Sequence, residues 1–155
     1  MKRSSEKSRD EKSDSLDYLF YPRSVAVVGA LSHPEKWYIR QYYIAPLLEL
    51  GFKGNIYAVD TKGKDVPGAV TCRSIREIAA PLDLVVGCIP AKRTPDLVAE
   101  CRDAGVKVVQ IFSAGFAETG EREGIEAQKQ LKGMIGETGP RIVGPNCMGA
   151  YCPES

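Results

Sequence analysis

Residues 82–112 read LDLVVGCIPAKRTPDLVAECRDAGVKVVQIF. Two nearly continuous apolar runs, 82–89 and 106–112, flank a stretch with helical spacing of its apolar residues. Runs rich in Val, Ile and Leu are typical of strands that are covered on both faces, as in a parallel sheet. Thr94 followed by Pro95 predicts a helix N-cap and first helical residue, and Gly105 predicts the helix end. The stretch therefore predicts one right-handed β-α-β unit.

The same pattern continues on both sides of this unit. Short runs rich in Val and Ile predict further strands at 24–29, 55–59 and 141–143. A weaker strand at 70–72 is expected at the sheet edge, because the connection before it is short and rich in Gly and Pro. The whole pattern predicts an α/β fold of the Rossmann-like, doubly wound type: a mainly parallel sheet of five or six strands with helices on both faces.

Three further helices are predicted outside residues 82–112. The longest occupies 32–51, from a capping box at its start to Gly51, and contains Pro46 as a candidate kink. Its buried face is expected to hold the apolar residues at helical spacing, which are Ile39, Tyr42, Tyr43, Leu47 and Leu50. A second helix is predicted over 121–135, and a shorter one is predicted after the cap residue Ser74.

Length and composition restrict the class of protein. The 155 residues are 43% hydrophobic and 26% charged, which is typical of a globular domain with a real core. Residues 1–15 are charged and almost free of apolar side chains, so they predict a disordered tail, and 16–155 are expected to form one domain. There is neither an apolar run of about 20 residues nor a signal peptide pattern, so a cytoplasmic protein without a membrane partner is expected.

Charge and metal-ligand chemistry exclude several functions. Lys plus Arg total 21 and Asp plus Glu total 20, so no overall positive field would attract nucleic acid. The five cysteines are odd in number and contain no Cys-x-x-Cys pair, which argues against a disulfide framework and against zinc. His33 is the only histidine, so no metal site is expected in this chain and no Ser-His-Asp relay either.

In an open parallel sheet, ligands bind beyond the carboxyl ends of the strands. The loops at those ends are small, polar or basic, and they occupy 29–32, 60–64, 90–94, 113–118 and 144–149. Gly29 suits a phosphate loop and an ordinary tight turn about equally. Asp60 could accept hydrogen bonds from an NAD ribose or stand in a turn. Lys62 and Lys64 could face a phosphate or simply lie in a solvated hairpin.

Four segments in these regions carry a resemblance to a known family. They are LFYPRSVAVVGA at 19–30, ELGFKGNIYAVD at 49–60, the stretch from 82 to 120, and RIVGPNCMGAYCP at 141–153. In order and spacing they resemble the N-terminal CoA-binding domain of ADP-forming acyl-CoA synthetases, which are related to the succinyl-CoA synthetase alpha subunit. The most specific parts are the Gly-Phe-Ala-Glu loop at 115–118 and the Gly-Pro-Asn-Cys turn at 144–147.

The resemblance implies a CoA-binding module of an NDP-forming acyl-CoA synthetase, an acid–thiol ligase, that binds CoA at the carboxyl edge of the sheet. It implies no catalytic residue in this chain, because the phosphorylated histidine and the ATP-grasp domain of the family lie in other domains or subunits. Those domains would be its partners. The implied CoA-binding residues, from the pyrophosphate and adenosine end to the thiol end, are Gly29, Ala30, Leu31, Ser32, Val59, Lys62, Lys64, Cys88, Ile89, Pro90, Ser113, Ala114, Gly115, Gly144, Pro145, Asn146 and Cys147.

Three departures from the family pattern leave two alternatives open. Leu31 stands where the family usually has a small residue, and bulky residues at 37–40 replace a glycine. Asp60 stands where the family more often has an uncharged residue, and it favours an NAD-binding Rossmann domain with a regulatory or oxidoreductase role. Trp37 and Tyr38 favour a degenerate scaffold that has lost its ligand.

Overall fold

The computed structural model describes residues 16–29, 40–61, 65–135 and 139–150. The predicted tail at 1–15 lies outside these ranges. The strands are β1 (Ser24–Val28), β2 (Asn55–Val59), β3 (Val70–Cys72), β4 (Leu84–Gly87), β5 (Val108–Ile111) and β6 (Arg141–Val143). The α-helices are α1 (Asp17–Phe20), α2 (Ala45–Glu49), α3 (Thr94–Asp103) and α4 (Arg122–Met134). Shorter helical turns occupy Arg40–Ile44, Ile75–Glu77, Ala91–Arg93 and Ala117–Thr119.

The six strands form one sheet in the order β3-β2-β1-β4-β5-β6, and every neighbouring pair is parallel. The predicted Rossmann-like fold is confirmed, with β3 at the sheet edge as expected. The chain adds β2 and β3 on one side of β1 and then returns to add β4, β5 and β6 on the other. The strand order therefore reverses at β1, and this reversal is where an open α/β sheet forms a crevice.

Apolar clusters cover both faces of the sheet. On one face Val85 and Val109 pack with side chains from α3 and α4, among them Val98 and Leu131. Cys101 of α3 is fully buried in the same cluster, and burial raises the pKa of its thiol to about 12, so it behaves as a small apolar residue. On the other face the central strands pack with the helical segment 40–49. Among the described residues, none of the helices combines the length and the apolar character that a bilayer crossing requires.

The helix predicted over 32–51 differs from the structure in its described part. Residues 40–44 form a π-helical turn that runs directly into α2, with Pro46 in the first turn of α2. A π turn takes one more residue than an α turn, so it rotates the side chains that follow out of a regular 3.6-residue pattern. Ile44 is fully buried, whereas Tyr42 and Leu50 are 60% and 88% exposed. The prediction that Tyr42 and Leu50 lie on a buried face was therefore wrong.

Two cap predictions have opposite outcomes. Ser74 does cap the short turn after β3, because its hydroxyl accepts a hydrogen bond from the Arg76 N–H. Thr94 does not cap α3. The turn Ala91–Arg93 continues into that helix, so Thr94 is already helical and its buried hydroxyl makes no hydrogen bond to the described residues.

A buried carboxylate joins the amino ends of β1 and β4. Asp83 accepts hydrogen bonds from the backbone N–H of Arg23 and from its guanidinium, at 2.9 to 3.1 Å. The side chain of Asp83 is 2% exposed, whereas that of Arg23 is 76% exposed. Burial acts to raise the pKa of Asp83, but the Arg23 hydrogen bonds outweigh it, and the pKa lies below its ordinary value. The charged carboxylate therefore stabilises the folded state.

Replacing Asp83 with Asn should lower the free energy of unfolding at neutral pH by about 2 kcal/mol, because a charge-assisted network is lost from a buried site. Since the pKa of Asp83 is lower in the folded state, its contribution is present above the ordinary aspartate pKa and is lost as pH falls below it. Urea unfolding at several pH values should show the difference between wild type and Asp83→Asn shrinking in acid. The exposed Asp103→Asn variant is the control and should change stability little.

Candidate functional site

A cleft of 470 Å³ opens at the carboxyl ends of β1, β2 and β4, where the strand order reverses. Its floor is formed by the last residues of those strands and the loops that follow them. The loop after β3 and one face of α3 form its sides. The lining residues are Val28, Gly29, Val59, Asp60, Thr61, Arg73, Ser74, Ile75, Ile89, Pro90, Arg93, Asp96, Leu97 and Glu100.

At Gly29 the loop after β1 lies close to the loop after β4. Its φ of +89° is in the left-handed region, and a Cβ built on it would lie 2.7 Å from the carbonyl oxygen of Cys88. The Gly29 N–H donates to the Val59 carbonyl at 2.9 Å, and the Cys88 N–H donates to the Val28 carbonyl. Only glycine therefore fits where the β1 loop lies against both the β2 and β4 loops.

The cleft continues into a row of loops along the same sheet edge. The Ser113 hydroxyl, after β5, donates to the Ile89 carbonyl after β4. The Asn146 N–H, after β6, donates to the Ser113 carbonyl at 3.0 Å. From β2 to β6 this edge spans four strand spacings, or roughly 19 Å. Such a surface suits an extended ligand with one end in the cleft and the other at the turn 144–148.

The loop after β5 is closed by its own carboxylate. Glu118 accepts hydrogen bonds from the N–H groups of Gly115 and Phe116, at 2.8 and 3.1 Å. Burial alone would raise the pKa of Glu118, but backbone N–H groups, including its own, hold that pKa below its ordinary value. Because these amides bind Glu118, they are not available to a ligand anion in this arrangement.

Charged groups of both signs line the cleft. Asp60 directly follows β2 and is only 3% exposed, while Arg73 and Arg93 are exposed at the cleft sides. Asp96 and Glu100 contribute two further carboxylates from α3. Sequence reasoning did not select these arginines or the α3 carboxylates as site residues. The spacing of 93, 96 and 100 on one helical face could have identified those three residues as a group from the sequence. The position of Arg73 could not be predicted in this way, because it depends on where the short edge strand lies.

The structure brings many of the predicted site residues to one edge. Gly29, Val59, Ile89 and Pro90 line the cleft, and Ser113, Ala114, Gly115, Asn146 and Cys147 lie in the loops beyond it. The side chain of Cys88 packs instead in the core cluster with Val27 and Val86, and its carbonyl group is the part beside Gly29. The predicted residues that lie outside the described ranges are Ala30, Leu31, Ser32, Lys62 and Lys64, together with Trp37 and Tyr38.

The sequence profile of a CoA binding domain matches residues 23–153. The chain belongs to this CoA-binding domain family. It is 41% and 39% identical, over 144 and 134 residues, to the alpha subunits of the ADP-forming acetate–CoA ligases I and II of Pyrococcus furiosus. These alignments cover 90% and 86% of this chain but only 30% and 28% of the relatives. The succinate–CoA ligase alpha subunit 2 of Archaeoglobus fulgidus is a more distant relative.

A solved structure shares the fold of this CoA-binding domain. The dinucleotide forming acetyl-coenzyme A synthetase 1 of Candidatus Korarchaeum cryptofilum, in complex with phosphate and ADP, superposes with a TM-score of 0.76 at 29% identity. The match covers 86% of this chain and 28% of the synthetase chain. The resemblance noted from the sequence is therefore confirmed at the level of family and fold.

Replacing Gly29 with Ala should destabilise the CoA-binding domain by about 2 kcal/mol, because a left-handed alanine is strained and its Cβ meets the Cys88 carbonyl. Gly133→Ala is the matched control, since a methyl group at Gly133 in α4 would have open space around it, with no neighbouring group within 4 Å. That variant should be stabilised by about 0.5–1 kcal/mol through helix propensity. Thermal unfolding of both variants measures the contrast, and equal stability would contradict the close approach.

Proposed function

We propose that this chain binds coenzyme A along the carboxyl edge of its sheet, as the CoA-binding module of an NDP-forming acyl-CoA synthetase. The observation that supports this most is the continuous edge from the cleft at Gly29 to the turn at Cys147, in a chain that belongs to the CoA-binding domain family. The chain would bind and orient CoA. A phosphorylated histidine and a nucleotide-binding domain would be contributed by further ligase domains or subunits.

The edge offers different chemistry at its two ends. The adenosine would lie in the cleft against Val59, with the pyrophosphate over the loop 29–32. Lys62 and Lys64 would hold the 3′-phosphate, and the exposed Arg93, which lines the cleft, adds positive charge. The pantetheine arm would cross the loops of β4 and β5 at Ile89, Pro90 and Ser113–Gly115. The thiol would then lie beside Asn146 and Cys147.

The burial of Asp60 favours a second candidate, an NAD-binding domain. A carboxylate at the end of the second strand of a Rossmann-like sheet accepts hydrogen bonds from the free hydroxyls of a nucleotide ribose. Asp60 is 3% exposed and lines the cleft, which is the position that this role requires. CoA has a phosphate on one of those hydroxyls, so the two ligands differ at the group that Asp60 would face.

Titration calorimetry of the purified chain with CoA, dephospho-CoA and NAD tests the proposed function directly. We expect CoA to bind more tightly than dephospho-CoA, which lacks the 3′-phosphate, and NAD to bind weakly or not at all. Tight NAD binding without CoA binding would replace the proposal with the second candidate. Absence of binding to all three would support a scaffold that has lost its ligand.

Replacing Lys62 and Lys64 together with Ala should weaken CoA binding about tenfold and leave dephospho-CoA binding nearly unchanged, because only CoA offers the 3′-phosphate. The control variant, Lys129→Ala with Lys132→Ala, removes the same charge from α4, away from the cleft. It should affect neither ligand. An equal loss of affinity in both double variants would indicate a general charge effect and contradict the assigned role.

Asp60→Asn should leave CoA affinity unchanged or raise it, because a carboxylate near the 3′-phosphate repels it. An NAD site would respond in the opposite way, since it would lose the acceptor for the ribose hydroxyls. The comparison of CoA and NAD titrations for this variant therefore separates the two candidates at one residue.

A further inference from the structure

A hydrogen-bond network holds the turn 144–148 against the rest of the sheet. Gln110 of β5 is 3% exposed, and its amide Nε2 donates to the Cys147 carbonyl at 3.2 Å and, more weakly, to the Tyr43 hydroxyl at 3.5 Å. The Tyr43 hydroxyl donates to the Met148 carbonyl at 2.7 Å. Two side chains from different elements therefore hold two consecutive carbonyl groups of the turn.

Gln110 is the polar residue of an otherwise apolar strand, VVQI. Burying an amide costs free energy unless hydrogen bonds compensate for it, and an apolar residue of similar size would fill the core equally well. The described hydrogen bonds of the Gln110 amide go to Cys147 and Tyr43. The buried amide of Gln110 is therefore explained by its hydrogen bonds, which hold the turn 144–148 in place.

Tyr43 is suited to the same task. Its ring packs edge-to-face against Phe112 with centroids 5.7 Å apart, which fixes the direction of its hydroxyl. Burial raises the pKa of Tyr43 above its ordinary value, so the hydroxyl keeps its proton and remains a donor into alkaline pH.

The turn requires such support because of its backbone conformation. Gly144 and Asn146 have φ values of +107° and +54°, in the left-handed region. Asn146 is not a glycine, so this conformation carries an energetic cost that surrounding contacts must offset. Backbone N–H groups of Asn146 and Cys147 donate to the carbonyl groups of Ser113 and Ile111. The side chains of Gln110 and Tyr43 hold the carbonyl groups of Cys147 and Met148.

We propose that Gln110 and Tyr43 are positioning residues that fix the turn 144–148 where the thiol end of CoA lies. The inference rests on the proposed function and adds to it the residues that pre-organise the thiol end. If the turn samples other conformations, only the fraction of molecules with the turn in the binding conformation can bind CoA. The apparent affinity for CoA is then reduced by that fraction. Loss of either side chain should therefore weaken contacts at the thiol end and leave the adenosine end intact.

The test compares two ligands across four proteins. The proteins are the wild-type chain, Gln110→Met, Tyr43→Phe, and the control Tyr57→Phe, which removes a tyrosine hydroxyl from the core cluster on the other face of the sheet. The ligands are CoA and adenosine 3′,5′-bisphosphate, which lacks the pantetheine arm. We expect Gln110→Met and Tyr43→Phe to bind CoA about fivefold to tenfold more weakly, by the loss of one or two hydrogen bonds. Their affinity for the bisphosphate, and both affinities of Tyr57→Phe, should stay within about twofold of wild type.

Amide hydrogen exchange measured by mass spectrometry reports on the turn without any ligand. In Gln110→Met and Tyr43→Phe, we expect faster exchange in peptides containing 144–149 and unchanged exchange in β1 and β4. This pattern would support the inference when it accompanies the selective loss of CoA affinity. It also shows that the variants are folded, so a loss of affinity cannot come from unfolding.

Four results would overturn the inference. Unchanged exchange at 144–149 in both variants would mean that the two side chains do not hold the turn. Faster exchange with wild-type CoA affinity, or an equal loss of affinity for both ligands, would mean that the turn does not position the thiol end. If the wild-type chain binds no CoA, the proposed function itself fails and the inference fails with it, whereas CoA binding that is unaffected by the variants removes the inference alone.

Discussion

β1 is hydrogen-bonded on one side to β2 and on the other to β4, and the position of the cleft follows from this double pairing. The chain leaves β1 in one direction to build β2 and β3, and it builds β4 in the other. The loops after β1 and β4 therefore meet without a crossing helix between them. Gly29 lies at that meeting point, and the absence of a side chain there lets the loop pass within contact of the Cys88 carbonyl.

The edge beyond the cleft is held together by side chain to backbone hydrogen bonds as well as by backbone pairs. Ser113 bonds to the β4 loop, Glu118 closes its own loop, and Gln110 bonds to the turn after β6. Each of these groups is occupied inside the protein. The near-neutral chain supplies no long-range field for an anion, so attraction of a phosphate depends on the charged side chains around the cleft.

The sequence was sufficient for the sheet, because buried parallel strands are marked by runs of Val and Ile that few other structures require. The family was identified separately, from a resemblance whose most specific parts are the loop at 115–118 and the turn at 144–147. The sequence was insufficient where the backbone departs from regular geometry. Leu50 was assigned to a buried face, but α2 ends at Glu49 and Leu50 lies beyond it, 88% exposed. Arg73 could not be identified as a cleft residue, because its place depends on the pairing of a three-residue edge strand.

In the proposed binding mode the two ends of the edge differ in how they select a ligand. At the cleft, Asp60 and the arginines would present charges to the nucleotide, so replacing one charge should change which nucleotide is favoured. At the turn after β6, Gln110 and Tyr43 are bonded to the backbone of the turn. In the proposed binding mode they act on the ligand through the shape of the turn, and that shape depends on how firmly the turn is held. A relative that binds the ligand and one that does not can therefore differ at residues that never touch the ligand, such as a buried glutamine in the middle of a strand.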